Sequence, residues 1–208
     1  MAKQSINIGT SANDGTGSTL REAFDICNDN FTELYGGTTS ALGFKSEGTN
    51  FTGSLLIGHS TTGVISSAEQ NTGIGIEALD ALTTGDANVA IGYQAGTSIS
   101  TGIRNVLIGV GAGDTLNVGS YNVAIGAFAL SSEDGNGRNV AIGYAALNTQ
   151  DAGAEAYNVA VGFEAGKSVT TGTENIIIGA LAGDAITTAS HNIAIGKEAL
   201  SSEDAGRS

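Results

Sequence analysis

Asn88-Val-Ala-Ile-Gly92 returns as Asn105-Val-Leu-Ile-Gly109, Asn122-Val-Ala-Ile-Gly126 and Asn139-Val-Ala-Ile-Gly143. It recurs again as Asn158-Val-Ala-Val-Gly162, Asn175-Ile-Ile-Ile-Gly179 and Asn192-Ile-Ala-Ile-Gly196, with looser copies at Asn71 and Ser54. The motif glycines stand at 58, 75, 92, 109, 126, 143, 162, 179 and 196. The step between them is seventeen throughout, except for nineteen between Gly143 and Gly162. That is nine units with a single two-residue insertion, placed in the loop 148–157. So short a period is too small for the helix pairs of helical repeat proteins. β-branched Val and Ile around a small residue, closed by Gly, instead read as a short strand that turns. Position +7 after each Asn is Ala from Ala78 to Ala199, and position +11 is often apolar, as at Leu82, Ile99, Leu116, Val169 and Ile186. The spacing therefore predicts a parallel β-roll or solenoid of about nine coils over 54–208. Two short strands per coil are expected, with a length of roughly 40 Å at the strand spacing.

A longer period lies over the short one. The residue at +8 runs Leu, Gly, Gly, Leu, Leu, Gly, Gly, Leu from the coil of Asn71 onward. Residues 88–134 match 158–204 at 26 of 47 positions, so a four-coil block has been duplicated. Stacked coils superpose like residues, and the column from Asn71 to Asn192 can then bond amide to amide along the axis. Asn also tolerates the left-handed backbone that a corner needs.

The alternation within each motif assigns sides. With +1 and +3 taken as the filling of the coil, +2 points outward. Ala90, Leu107, Ala124, Ala141, Ala160, Ile177 and Ala194 are then an exposed apolar stripe, and such a stripe marks an interface. A thin coil has little interior of its own, so a homotrimer packed through these seven positions is the expectation.

Composition narrows the remaining classes. The chain of 208 residues carries a formal charge of −13 with only 8 Lys and Arg, which speaks against a nucleic-acid partner. One Cys allows no intrachain disulfide and no Cys-based zinc site. No apolar run reaches the roughly 18 residues of a membrane span. Residues 1–9 lack the basic-then-apolar layout of a secretion signal. With 40% apolar residues the chain is too hydrophobic for a disordered tail.

The Asn-Val-Ala-Ile-Gly-x-x-Ala repeat over 54–204 resembles the head repeat of trimeric autotransporter adhesins. That resemblance implies a left-handed parallel β-roll with three chains around one axis. The coils here are longer than that family's common spacing, and Ala or Gly often stands where the family prefers Ser. Without a secretion signal or membrane barrel, a surface-anchored bacterial adhesin is not expected.

A second resemblance sits at the other end. Ile6-Asn-Ile-Gly-Thr10, Ala12-Asn-Asp-Gly-Thr-Gly17, Leu20-Arg21 and Asn28-Asp-Asn-Phe-Thr-Glu-Leu-Tyr35 resemble the opening of tailed-phage fibre and tail-associated proteins. The resemblance implies that residues 1–35 face the virion and join other virion proteins of tail, neck or capsid. The residues agree with a separate module at 1–37. Thr19 and Glu22 are spaced as a capping box. Leu20, Phe24, Cys27, Phe31 and Leu34 step as a coiled-coil seam, and Gly36-Gly37 ends the helix. Residues 38–53 form a polar connector to the roll. The expected protein is a trimeric structural part of a phage virion, a rigid spacer or adaptor. Host-receptor or glycan binding through variable loops such as 97–104 and 148–157 is the alternative, and a polysaccharide-cleaving spike is third.

The chemistry-bearing residues read mostly as structural. Cys27 belongs to the helical seam, and His59 and His191 have no partners at metal spacing. Gly109-x-Gly-x-Gly113 lacks the Lys-Ser/Thr ending of a phosphate loop. Glu133, Asp134 and Asn136 offer oxygens to calcium, but a solvated loop is the plainer reading. Glu164 and Glu198 share position +6 two coils apart, about 10 Å by the strand spacing, without an evident cleft for glycoside hydrolysis. No catalytic, cofactor or metal residue is assigned, and no enzyme activity is expected.

Overall fold

A computed structural model describes residues 44–48, 51–57, 67–135 and 137–201. The chain divides into two units, Met1–Phe44 and Lys45–Ser208, and the repeat lies in the second. The expected helix with its seam Leu20, Phe24, Cys27, Phe31 and Leu34 lies outside the described residues, as do His59 and Asn136.

The described residues are all-β, a solenoid whose strands recur at the period of the sequence motif. Its strands are β1 (Phe44–Gly48), β2 (Phe51–Ile57), β3 (Thr72–Ile74), β4 (Val89–Ile91) and β5 (Val106–Ile108). They continue as β6 (Val123–Ile125), β7 (Val140–Ile142), β8 (Val159–Val161), β9 (Ile176–Ile178) and β10 (Ile193–Ile195). All ten lie in one sheet in sequence order. From β2 to β10 each strand pairs in parallel with the next and equivalent motif positions face each other, as with Val89↔Val106 and Ala124↔Ala141. The two-residue insertion leaves this register intact, since Val140 still meets Val159. The looser copies are true members of the stack: Leu55 pairs with Thr72, and Ser54 Oγ accepts the Asn71 amide at 2.7 Å in the place of an Asn.

Each described coil from Asn71 onward has one strand, not the two expected from sequence, because the chain after the motif is set by left-handed residues. The motif glycines sit near φ +135, and the residues at +6 and +8 are left-handed, for example Gln94 (φ 56) and Gly96 (φ 56) in one coil. A Cβ at Gly92 would lie 2.4 Å from the Gly109 carbonyl oxygen of the next coil, so only glycine fits there. The third left-handed corner is the residue before each Asn, such as Arg104, Tyr121 or Arg138, and not the Asn itself.

The Asn side chains are buried and form the axial ladder. In the coil of Asn105, the backbone N–H and Nδ2 both donate to Asn88 Oδ1 at 3.0 Å, and Nδ2 also donates to the Gly119 carbonyl at 2.8 Å. The ladder thins at the insertion. Asn139 Nδ2 is buried without a hydrogen-bond partner among the described residues, and Asn158 Nδ2 turns to Gln150 Oε1 at 2.7 Å.

The sides of the strand are reversed relative to the sequence expectation. Ala90, Leu107, Ala124, Ala141, Ala160, Ile177 and Ala194 are the middle residues of their strands and are buried within a single chain. They cannot be the trimer-facing stripe. They form the core with the alanines at +7 and with Leu82, Ile99, Leu116, Val169 and Ile186. The coil is too narrow for two β-branched columns inside, so the small position turns inward and the Val and Ile positions flank it outside.

That packing also explains the four-coil period. Leu107 enters the core between Gly96 and Gly113: a Cβ at either glycine would stand 2.7–2.8 Å from a Leu107 methyl. Ile177 does the same between Gly166 and Gly183. Where +8 is Leu instead, as at Leu79, Leu130 and Leu147, that side chain is itself buried and the neighbouring position +2 holds Gly or Ala. A large side chain at +2 and a leucine at +8 are alternative fillings of one space.

Candidate interaction face

Because +2 faces in, +1 and +3 face out. In β3 to β10 both outer positions are Val or Ile except Thr72, and they are half-buried or exposed in every strand. A parallel sheet ordinarily has both faces covered. Here one face meets the coil interior and the other presents a charge-free field of β-branched side chains eight strands long. At about 4.8 Å per strand and 3.3 Å per residue, the eight three-residue strands make a field about 10 Å wide and 34 Å long. That is about 340 Å², somewhat under half of the roughly 800 Å² that each partner of a standard protein interface covers, so the columns beside the field belong to any contact made through it. Sequence reasoning missed this face by placing its residues inside. The signal that identifies it is the match between a small side chain at +2 and the side chain at +8.

Two side-chain columns border the field, and they differ. Before the Asn positions stand Arg104, Tyr121, Arg138 and Tyr157. Arg104 and Arg138 lie over the Tyr121 ring at 5.5 and 5.3 Å, and Arg138 lies 5.6 Å from the Tyr157 ring centroid. Arg104 Nη1 donates to Tyr121 Oη at 2.6 Å, and Arg138 Nε meets Glu155 at 2.8 Å. Tyr157 Oη donates to the other Glu155 oxygen at 2.5 Å. The bonds from Tyr157 and then Arg138 hold the Glu155 carboxyl below its ordinary range, while the bond to Glu155 pushes the Tyr157 phenol and the Arg138 guanidinium up. On the opposite border, after the glycines, stand Tyr93, Val110, Tyr144 and Phe163, with Phe128 one position further along. Tyr144 packs edge-on against Phe128 at 6.3 Å and stacks on Phe163 at 5.3 Å.

The other candidate residues are scattered. Glu164 pairs with Lys167 at 2.9 Å and Glu198 with Lys197 at 3.0 Å. His191 Nε2 lies 3.2 Å from Glu174 with its ring exposed. Gly109, Gly111 and Gly113 serve the turn, each at positive φ. The ligand oxygens of Glu133, Asp134 and Asp151 lie within 4.8 Å of one another, Glu133 buried and the other two exposed. Burial also raises the Asp114 carboxyl, against the bonds from its own and the Thr115 amides. Among the described residues no helix is long and apolar enough to cross a membrane.

No family model, curated protein or solved structure matches this chain.

Proposed function

We propose that this protein is a structural component of a phage virion, a tail fibre or tail-associated appendage in which three copies lie side by side as a stiff spacer. The observation that carries the reading is the uncharged Val and Ile field running the length of the described coils from β3 on. On a chain of net charge −13, keeping 16 aligned outer positions free of charge is the pattern of a covered surface. Copies of the same chain suit it because their columns repeat at the same pitch, so the ridges of one can enter the grooves of another in every coil. The number three comes from the likeness of the repeat to trimeric adhesin heads. Attachment to the particle comes from the likeness of residues 1–35 to phage fibre openings. The role is mechanical, without catalysis or a cofactor.

Sedimentation and light scattering of the full chain test the assembly, with a trimer expected. Ile125→Glu with Ile142→Glu places charge on the outer field, and should give monomers that keep their β circular dichroism. Ala124→Glu with Ala141→Glu places it in the coil interior and should unfold the central coils instead. A native chain that stays monomeric at micromolar concentration sinks the proposal. Immunogold labelling of purified particles tests the virion location, and a glycan array positive for the isolated protein would favour the adhesin alternative.

A further inference from the structure

We infer that neighbouring copies meet through their unlike borders, the Arg–Tyr column of one packing against the aromatic column of the next. The inference rests on the side-by-side assembly just proposed and specifies its contacts. Three observations lead to it. The two borders occupy the same coils, since Arg138 and Tyr144 flank one strand, and Tyr157 and Phe163 flank the next. Within one chain the Asn, the three-residue strand and the Gly stand between them, and the ring and guanidinium contacts stay within each border. Any cyclic arrangement of parallel rods brings the left border of one copy beside the right border of the next, at equal height.

The chemistry of the borders is complementary. Arg104 and Arg138 are fixed by ring contacts at 5.3–5.6 Å and, for Arg138, by Glu155. A guanidinium so held loses little freedom when a further aromatic face arrives. The opposite border supplies such faces in Tyr144 and Phe163, about half exposed at 46% and 51%. Arg and Tyr are also among the residue types that anchor interfaces most often. Like-with-like packing would set arginine columns against each other at the levels of Arg104 and Arg138.

The test replaces Tyr144 with a photoreactive benzoylphenylalanine in the full chain. Light and heavy isotope-labelled chains are mixed during refolding, so that cross-links between copies are told apart from those within one. The expected product joins residue 144 of one copy to the 138–157 segment of another, at least tenfold above any link from 144 to the 144 region. A majority of 144-to-144 links, or links confined to the Val and Ile strands, overturns the border contact while leaving the trimer standing. Light scattering on the same sample reads the assembly separately, and a monomer there overturns both.

Discussion

The side chain of Asn105 makes four hydrogen bonds inside the protein, donating to Asn88 Oδ1 and the Gly119 carbonyl and accepting from the backbone N–H and Nδ2 of Asn122. Asn139 occupies the same place two coils on, yet among the described residues its Oδ1 accepts from the Asn158 amide and its Nδ2 has no partner. The cause is local. The two extra residues fall in the chain between Asn139 and Asn158, and Gly153, fourteen residues after Asn139 as Gly119 is after Asn105, is exposed where Gly119 is buried. These two sites should respond differently to one substitution. Asn105→Ala strands a buried amide and a buried carbonyl and should cost about 2–4 kcal/mol, whereas Asn139→Ala should cost about 1 kcal/mol. Urea midpoints of the two variants check this, and equal shifts would show that the ladder bonds carry little. The ladder was legible in the sequence because Asn recurs at a fixed step. The left-handed corner beside it was not, since Gln, Ala, Arg, Tyr, Glu and His all occupy it and share no chemistry that marks a turn.

A coil is filled from several directions, and its packing couples residues that sequence distance keeps apart. Leu107 and Gly113 form one such pair. Leu107→Ala opens a cavity and should cost about 2–5 kcal/mol. Gly113→Leu alone drives a side chain into Leu107 and should cost about 1–3 kcal/mol. Together they recreate the arrangement of Leu130 beside Ala124, in which leucine is held at φ 52. The double variant should be more stable than the two losses summed, by over about 1 kcal/mol, and thermal unfolding of the four proteins measures it. Additivity would refute the shared-space account. The Leu, Gly, Gly, Leu order could be read from the sequence, but its partner could not be seen while Val and Ile were placed inside. Alternation gives two faces and says nothing of which is which. Volume decides that, because the interior takes a small residue at +2, or a large one only beside glycines at +8.

Along the described coils the bond from each motif glycine to the preceding strand recurs at every junction, so these amides can be compared coil by coil. The Gly126 amide donates to the Ile108 carbonyl at 2.8 Å, and the Gly196 amide donates to the Ile178 carbonyl at 2.7 Å. Only the second lies in the last described coil, where Ile193 and Ile195 are 67% and 65% exposed against 37% for Ile91. Stacked repeats open from their ends, so the Gly196 amide should exchange with deuterium at least about tenfold faster than that of Gly126. Equal rates would mean that something covers β10. The bonds between coils also have a direction: nearly all run along the stacking axis. A pull along that axis strains every bond of a junction together, while a force that lifts one coil sideways from the end breaks them one after another. The rod is thus built like a stack of riveted plates, resistant to tension and compression along its length and vulnerable only to peeling at an uncovered end.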